Sequence, residues 1–137
     1  MDRSRFRMTD LTALREGLAA VLAAAIDGAQ VLAHDVDRPS PPQIILTPSS
    51  PWIELDPAAP AFARAHRLAV RILCVTHKAK AVDQIRALED LTSAVLTVLG
   101  GTDWTPTEIS QPYYLTGETF QLPAVTITAT TPINLTN

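Results

Sequence analysis

The sequence is short of the residues from which many catalytic and cofactor sites are built. Its one cysteine, Cys74, has no second thiol with which to form an internal disulfide or a thiolate zinc site. The only adjacent glycines, Gly100 and Gly101, follow a predicted helix, whereas a phosphate-binding loop needs glycines that lead into one. A disulfide scaffold, a thiolate zinc site and a nucleotide-binding loop are therefore excluded.

Positive charge and long apolar runs are also scarce. The 11 lysines and arginines stand against 14 aspartates and glutamates, which gives a net charge of −3. Tight nucleic-acid binding needs basic residues concentrated on one face, so direct readout of DNA is not expected. No apolar run reaches the roughly 18 residues that a membrane-spanning helix needs, so no membrane contact is expected. A single thiol fits a reducing compartment such as a bacterial cytoplasm.

The first residues resemble a targeting signal only in part. Arg3, Arg5 and Arg7 precede an Ala/Leu-rich stretch from Gly17 to Ile26, which is similar to a signal peptide. However, the apolar residues recur at spacings of three and four and are interrupted by charged residues, which favours an amphipathic helix over residues 9–26. Residues 1–8 are predicted to be a flexible basic leader.

The composition that remains is that of a globular domain. Hydrophobic residues make up 47% of the chain and charged residues 18%. A chain of 137 residues can build one core but not two. The sequence predicts a single domain over residues 9–130, followed by a C-terminal arm, residues 131–137.

The order of predicted elements indicates the fold class. A second helix is predicted over residues 79–99 from an apolar stripe at helical period, which includes Val82 and Ile85. Strands are predicted on either side of it, and the last of them has a bulge or bend at Pro123. Since helices and strands do not alternate as in βαβ units, we predict an α+β fold, in which an antiparallel or mixed β-sheet has both main helices packed on one face.

The clearest predicted strand, over residues 63–76, carries the candidate site. Its alternation places four residues on a core face, namely Leu68, Val70, Ile72 and Cys74. Arg67 and Arg71 lie on the opposite face, together with apolar Leu73. Because that face is more apolar than solvent requires, Arg67 and Arg71 are the candidate subunit-interface residues. A solvated strand face is the alternative explanation of the two arginines.

No catalytic constellation is found among the histidines and the thiol. His34 lies beside two aspartates in a polar loop, at a spacing that matches no metal-binding motif. His66 and His77 border the long strand, and neither has a nucleophile motif nearby. Cys74 has the parity of core residues, and a buried thiol is normally unreactive. We therefore predict that the chain is not an enzyme and holds no metal and no cofactor.

The large aromatic residues allow two interpretations. Trp52, Trp104, Tyr113 and Tyr114 all fall in loop-like regions beside prolines. Aromatic residues in such loops serve either as lids on the core or as anchors in protein interfaces. The sequence does not separate the two roles.

Four segments in a fixed order carry a family resemblance. They are the opening helix TDLTALREGLAAVLAAAI, the proline-broken region QIILTPSSPWIEL, the long strand ARAHRLAVRILCVT that leads into the second helix, and the final strand GETFQLPAVTITATTPI. In this order and texture the chain resembles the small tail terminator, or tail completion, proteins of long-tailed bacteriophages. The resemblance covers most of the chain from Met8 onward and involves no invariant motif.

The resemblance implies a structural role in the virion. Such proteins form a ring, usually of six subunits, that caps the tail tube, ends its polymerisation and joins the tail to the head connector. The implied partners are further copies of this chain, the tail tube protein and the connector proteins, at a head–tail junction assembled in the host cytoplasm. DNA passes through such a ring without specific binding, which an acidic lumen would favour.

Two alternatives remain open. Another neck protein, such as a head completion or connector-associated protein, would share the size, the acidity and the lack of catalytic motifs. A small ligand-binding α+β regulatory domain, or an enzyme of unfamiliar type that uses His34, His66 or His77, belongs to a different class. Its ligand would stabilise it against unfolding, whereas a purely structural ring would show no such effect.

Overall fold

A computed structural model describes residues 10–55 and 66–133 of the chain. The predicted leader, residues 1–8, lies outside this range, as do residues 134–137 of the predicted arm. In chain order the described elements are α1 (Leu11–Ala25), β1 (Gln30–Leu32), β2 (Gln43–Leu55), β3 (His66–Val75), α2 (Ala81–Leu99), β4 (Thr105–Ile109), β5 (Tyr113–Thr116) and β6 (Gln121–Ile133).

The strands form one mixed sheet. Its strand order is β1-β2-β3-β6-β4, and β5 pairs with β6 on the same side as β4. The pair β1 and β2 is parallel, and the other pairs are antiparallel. With two helices against this sheet, the predicted α+β class is confirmed.

The core lies between the helices and one face of the sheet. On β3 this face bears the four residues predicted for it, Leu68, Val70, Ile72 and Cys74, and all four are buried. They share one hydrophobic cluster with Leu22 of α1 and with Leu88 and Val95 of α2. We call this side of the sheet the helix face. Burial of each large aliphatic side chain contributes about 1.5–3 kcal/mol, so this face accounts for most of the stability.

Local signals set the limits of α1. The Asp10 side chain accepts a hydrogen bond from the Ala13 amide at 3.1 Å and caps the first turn. Gly28, just beyond the helix, has a φ of 85°, a left-handed conformation that favours glycine. Both are residue types that favour these positions.

Prolines bend the strands less than predicted. The proline-broken region QIILTPSSPWIEL forms the single strand β2, with a register shift between Pro48 and Ile53. The bulge predicted at Pro123 is wrong, because β6 keeps a continuous register with both β3 and β5. The alternation of apolar and polar residues is interrupted here because Ala124 and Val125 are both buried, one on each face of the sheet.

The last strand is longer than predicted. β6 runs to Ile133, which is 8% exposed and pairs with His66. Residues 131–133, assigned to the arm from the sequence, are therefore part of the sheet. The β-branched Thr131 and Ile133 continue the alternation of β6 and extend its ladder with β3.

Candidate interaction surfaces

Arg67 and Arg71, the predicted interface residues, lie on the side of the sheet opposite the helices. Because successive residues of a strand point to opposite faces, they share this side with Ala69, Leu73 and Val75 of β3. Both arginines are exposed. We call this side the arginine face.

The cross-strand neighbours of the two arginines are mostly polar. In the register of the sheet, Arg71 lies between Thr47 of β2 and Thr128 of β6. Arg67 lies opposite Glu54 of β2. Exposed cross-strand pairs of opposite charge contribute at most about 1 kcal/mol. Such a weak pairing leaves Arg67 able to contact a partner.

Part of the arginine face is covered by the chain itself. Val36 from the loop after β1, and Leu115 and Phe120 from the β5 region, line a cavity of about 230 Å³ with Arg71 and Leu73. Arg71 thus lies at the border between a covered half of this face and the half that carries Arg67.

A second exposed surface lies on the other side of the sheet. Val82 and Ile85 were predicted to be core residues of α2, but they are 69% and 41% exposed. The inward position is taken by Gln84, whose side chain accepts from the Ala79 amide at 3.1 Å and donates to the Tyr114 hydroxyl at 2.8 Å. A buried amide with both partners is stable, so the buried stripe of α2 starts at Gln84.

This exposed side of α2 forms a groove with the edge of the sheet. Ile85 and Leu96 of α2 face Ile109 of β4, which is 46% exposed, across a volume of about 520 Å³. Glu89 stands on its rim. We call it the α2–β4 groove. A contiguous apolar surface of this kind marks contact sites on soluble proteins.

The four aromatic residues differ in burial. Trp104 is 7% exposed and belongs to the core cluster, so it is a lid. Trp52, Tyr113 and Tyr114 are exposed by 37–47%. They are therefore not lids on the core, and their role as interface anchors stays a prediction.

The structure does not unite the histidines at the ends of β3. His66 begins this strand and His77 follows its other end, so about 35 Å of extended chain separates them. His34 lies in the loop after β1, where its Nδ1 is 2.9 Å from the Asp35 carbonyl oxygen. Within residues 10–55 and 66–133, no three His, Cys, Asp or Glu side chains are grouped so as to hold a metal.

The thiol has the position that the strand pattern predicted. Cys74 is fully buried on the helix face. Burial raises the pKa of this thiol from 9.0 to about 12, because a thiolate loses its hydration there. It is therefore a core residue.

Comparisons with known proteins add no assignment. No family model and no curated protein sequence matches this chain. In the part of the chain that the structure describes, neither helix combines the length and the apolar character needed to cross a membrane.

Proposed function

We propose that this chain is a tail terminator of a long-tailed bacteriophage, a subunit of a ring that caps the tail tube and joins it to the head connector. The single observation that carries the proposal is the presence of two unlike exposed surfaces on opposite sides of one sheet. The exposed part of the arginine face is polar and cationic, and the α2–β4 groove is apolar with Glu89 on its rim.

Two unlike surfaces suit a ring. A two-fold dimer uses the same surface on both subunits, whereas a ring joins one surface of each subunit to a different surface of the next. In the proposed ring, Ile85 and Ile109 of one subunit supply apolar area to bury, and Glu89 on the rim of the same groove has the charge opposite to that of Arg67 and Arg71 of the next subunit. The net charge of −3 suits a lumen through which DNA moves without adhering.

The first test is the solution mass of the full chain, measured by light scattering after gel filtration at several concentrations. A discrete species of about six subunits is the expected result. A monomer at every concentration would contradict a ring that forms in solution, and stabilisation by a metabolite or metal would then favour the ligand-binding alternative.

Two charge variants identify the contacting surfaces. R67E/R71E blocks the arginine face, and I85D/I109D blocks the α2–β4 groove. Each variant alone should be monomeric. Their mixture should form a one-to-one dimer, because one intact surface of each kind remains.

Matched controls separate this effect from a general effect of charge. K78E/K80E makes the same charge change beyond the end of β3, and A20D/A24D places two aspartates on exposed positions of α1. Both should keep the mass of the unmodified chain. Should R67E/R71E also keep that mass, the arginine face is not an interface.

A further inference from the structure

A second groove lies on the opposite side of α2, between its first half and the end of α1. It has a volume of about 500 Å³. Ile26 and Leu91 contribute to its apolar floor, and three carboxylates, Asp27, Asp83 and Asp90, lie along its exposed rim. We call it the acidic groove.

A polar group without a partner lies in the wall of this groove. Thr76 lines it, is 4% exposed and has the same strand parity as Cys74, so its side chain lies on the helix face. Its hydroxyl is buried and makes no hydrogen bond within the described residues. Buried hydroxyl groups nearly always have a partner. The acidic groove therefore combines an apolar floor, carboxylates on the rim and an unused hydroxyl.

We propose that the acidic groove binds the basic leader, residues 1–8, of a neighbouring copy of this chain. In the leader, Arg3, Arg5 and Arg7 alternate with Ser4, Phe6 and Met8. Since successive side chains of an extended segment point to opposite sides, such a segment offers a cationic edge and a mainly apolar edge. These two edges match the carboxylate rim and the aliphatic floor.

The dimensions of α1 assign the leader to a neighbour. The leader precedes Asp10, whereas the acidic groove begins at Ile26, at the other end of α1. Along the helix these points are about 24 Å apart. Fully extended backbone carries Arg7 about 11 Å, Arg5 about 18 Å and Arg3 about 25 Å from Asp10, so the chain's own leader brings only Arg3 to the rim, whereas a neighbour's leader can place all three arginines there.

This contact is directional and deepens the ring proposal, on which it rests. The start of α1 lies beside Gly101 and Trp104, which follow α2, while its end lies beside the first half of α2. The start of α1, to which the leader is joined, and the acceptor groove thus lie at opposite ends of the helical layer. Leader exchange between copies is therefore head-to-tail, the kind of contact from which rings are built.

Cross-linking between chains tests the proposal. One full-length chain carries S4C, which keeps all three leader arginines, and a second carries A87C in the wall of the acidic groove. Cys74 is buried and stays silent. With a short bismaleimide, the mixture should give a linked S4C–A87C pair. A chain with T107C on the far edge strand β4 replaces A87C as the positional control.

Charge-reversal variants test whether the cross-link depends on the carboxylates of the acidic groove. D27K/D90K in the A87C chain should lower the yield roughly five- to tenfold, as expected when exposed ion pairs become repulsive. E16K/E118K, the same change at exposed sites outside the groove, should leave the yield unchanged.

Three results would overturn the proposal: no S4C–A87C product above the T107C control, a yield insensitive to D27K/D90K, or cross-linking only within a chain that carries both cysteines. The mass of the assembly is read separately. A ring of normal mass without the cross-link rejects the leader contact alone, and a cross-link in open chains rejects the ring alone.

Discussion

The two faces of the central strands differ in burial, because alternating residues of each strand point to opposite sides of the sheet. On β3, Ile72 is fully buried against the helices, whereas its neighbour Arg71 is exposed on the other side. Threonines such as Thr47 and Thr128 flank Arg71. Threonine is polar yet β-branched and favours strands, so the exposed part of the arginine face keeps its strand character. The larger core cluster lies on the helix face, whereas Ile45 and Val75 are buried on the covered part of the arginine face.

The strongest challenge to this comparison is removal of a core side chain. Ile72→Ala should lower the free energy of unfolding by about 2–5 kcal/mol, because it removes buried methyl groups and leaves a cavity. Urea denaturation measures the loss. Thr128→Ala, on the neighbouring strand but on the arginine face, should cost less than about 1 kcal/mol. Equal losses would show that the two faces share the core.

The thiol of the helix face gives a pH test. Below pH 9 the thiol is protonated in both states, but above it the unfolded chain loses the proton that native Cys74 holds up to its pKa of about 12. The free energy of unfolding should therefore fall by about 1.4 kcal/mol per pH unit between these values.

Cys74→Ala is the control for this slope, since it removes the thiol and keeps the other titrating groups. The difference between the two denaturation series from pH 8 to pH 11 isolates Cys74. Parallel series would mean that the thiol is not sequestered on the helix face.

A smaller effect is expected where the chain folds over the arginine face. A Cβ at Gly117 would overlap the ring of Phe120, which lines the cavity beside Arg71. Gly117→Ala should cost about 1–2 kcal/mol, because the half-buried ring must move. Gly17→Ala in α1 is the control. Its new methyl group meets nothing within 4 Å, and alanine favours the helix by about 1 kcal/mol, so thermal melting should shift in opposite directions.

The smallest change in stability is expected from R67E/R71E. Both side chains are exposed, so the free energy of unfolding of the monomer should change by less than about 1 kcal/mol. The same variant should abolish assembly. A large loss of stability would show that the arginines support the fold. Both faces would then contribute to the free energy of unfolding, by different amounts.

Much of this fold is predictable, because local patterns report it. The alternation of β3 identifies both faces, and the limits of α1 are marked by the side chain of Asp10 and the left-handed backbone of Gly28. The exposure of Val82 is different. Its stripe has the correct period, but whether Val82 or Gln84 points inward depends on the Tyr114 hydroxyl, which lies 30 residues away from Gln84.

The candidate surfaces also differ in how far the sequence predicts them. Arg67 and Arg71 are placed by the parity of one strand, so their shared face is readable from the sequence. Both grooves require elements that meet only in the folded chain. The acidic groove brings Asp27, beyond the end of α1, close to Asp83 and Asp90 of α2. Their spacing in the sequence does not predict that they lie together.

The position of β6 has a consequence for the order of folding. This strand lies between β3 on one side and β4 and β5 on the other, although it is the last of them to be synthesised. Until it emerges from the ribosome, β3 exposes half of its hydrogen-bonding groups, and β4 and β5 have no partner strand within the described residues. The sheet can therefore be completed only after β6 has been synthesised. Until then the unpaired edge of β3 is able to pair with strands of other chains, which favours aggregation.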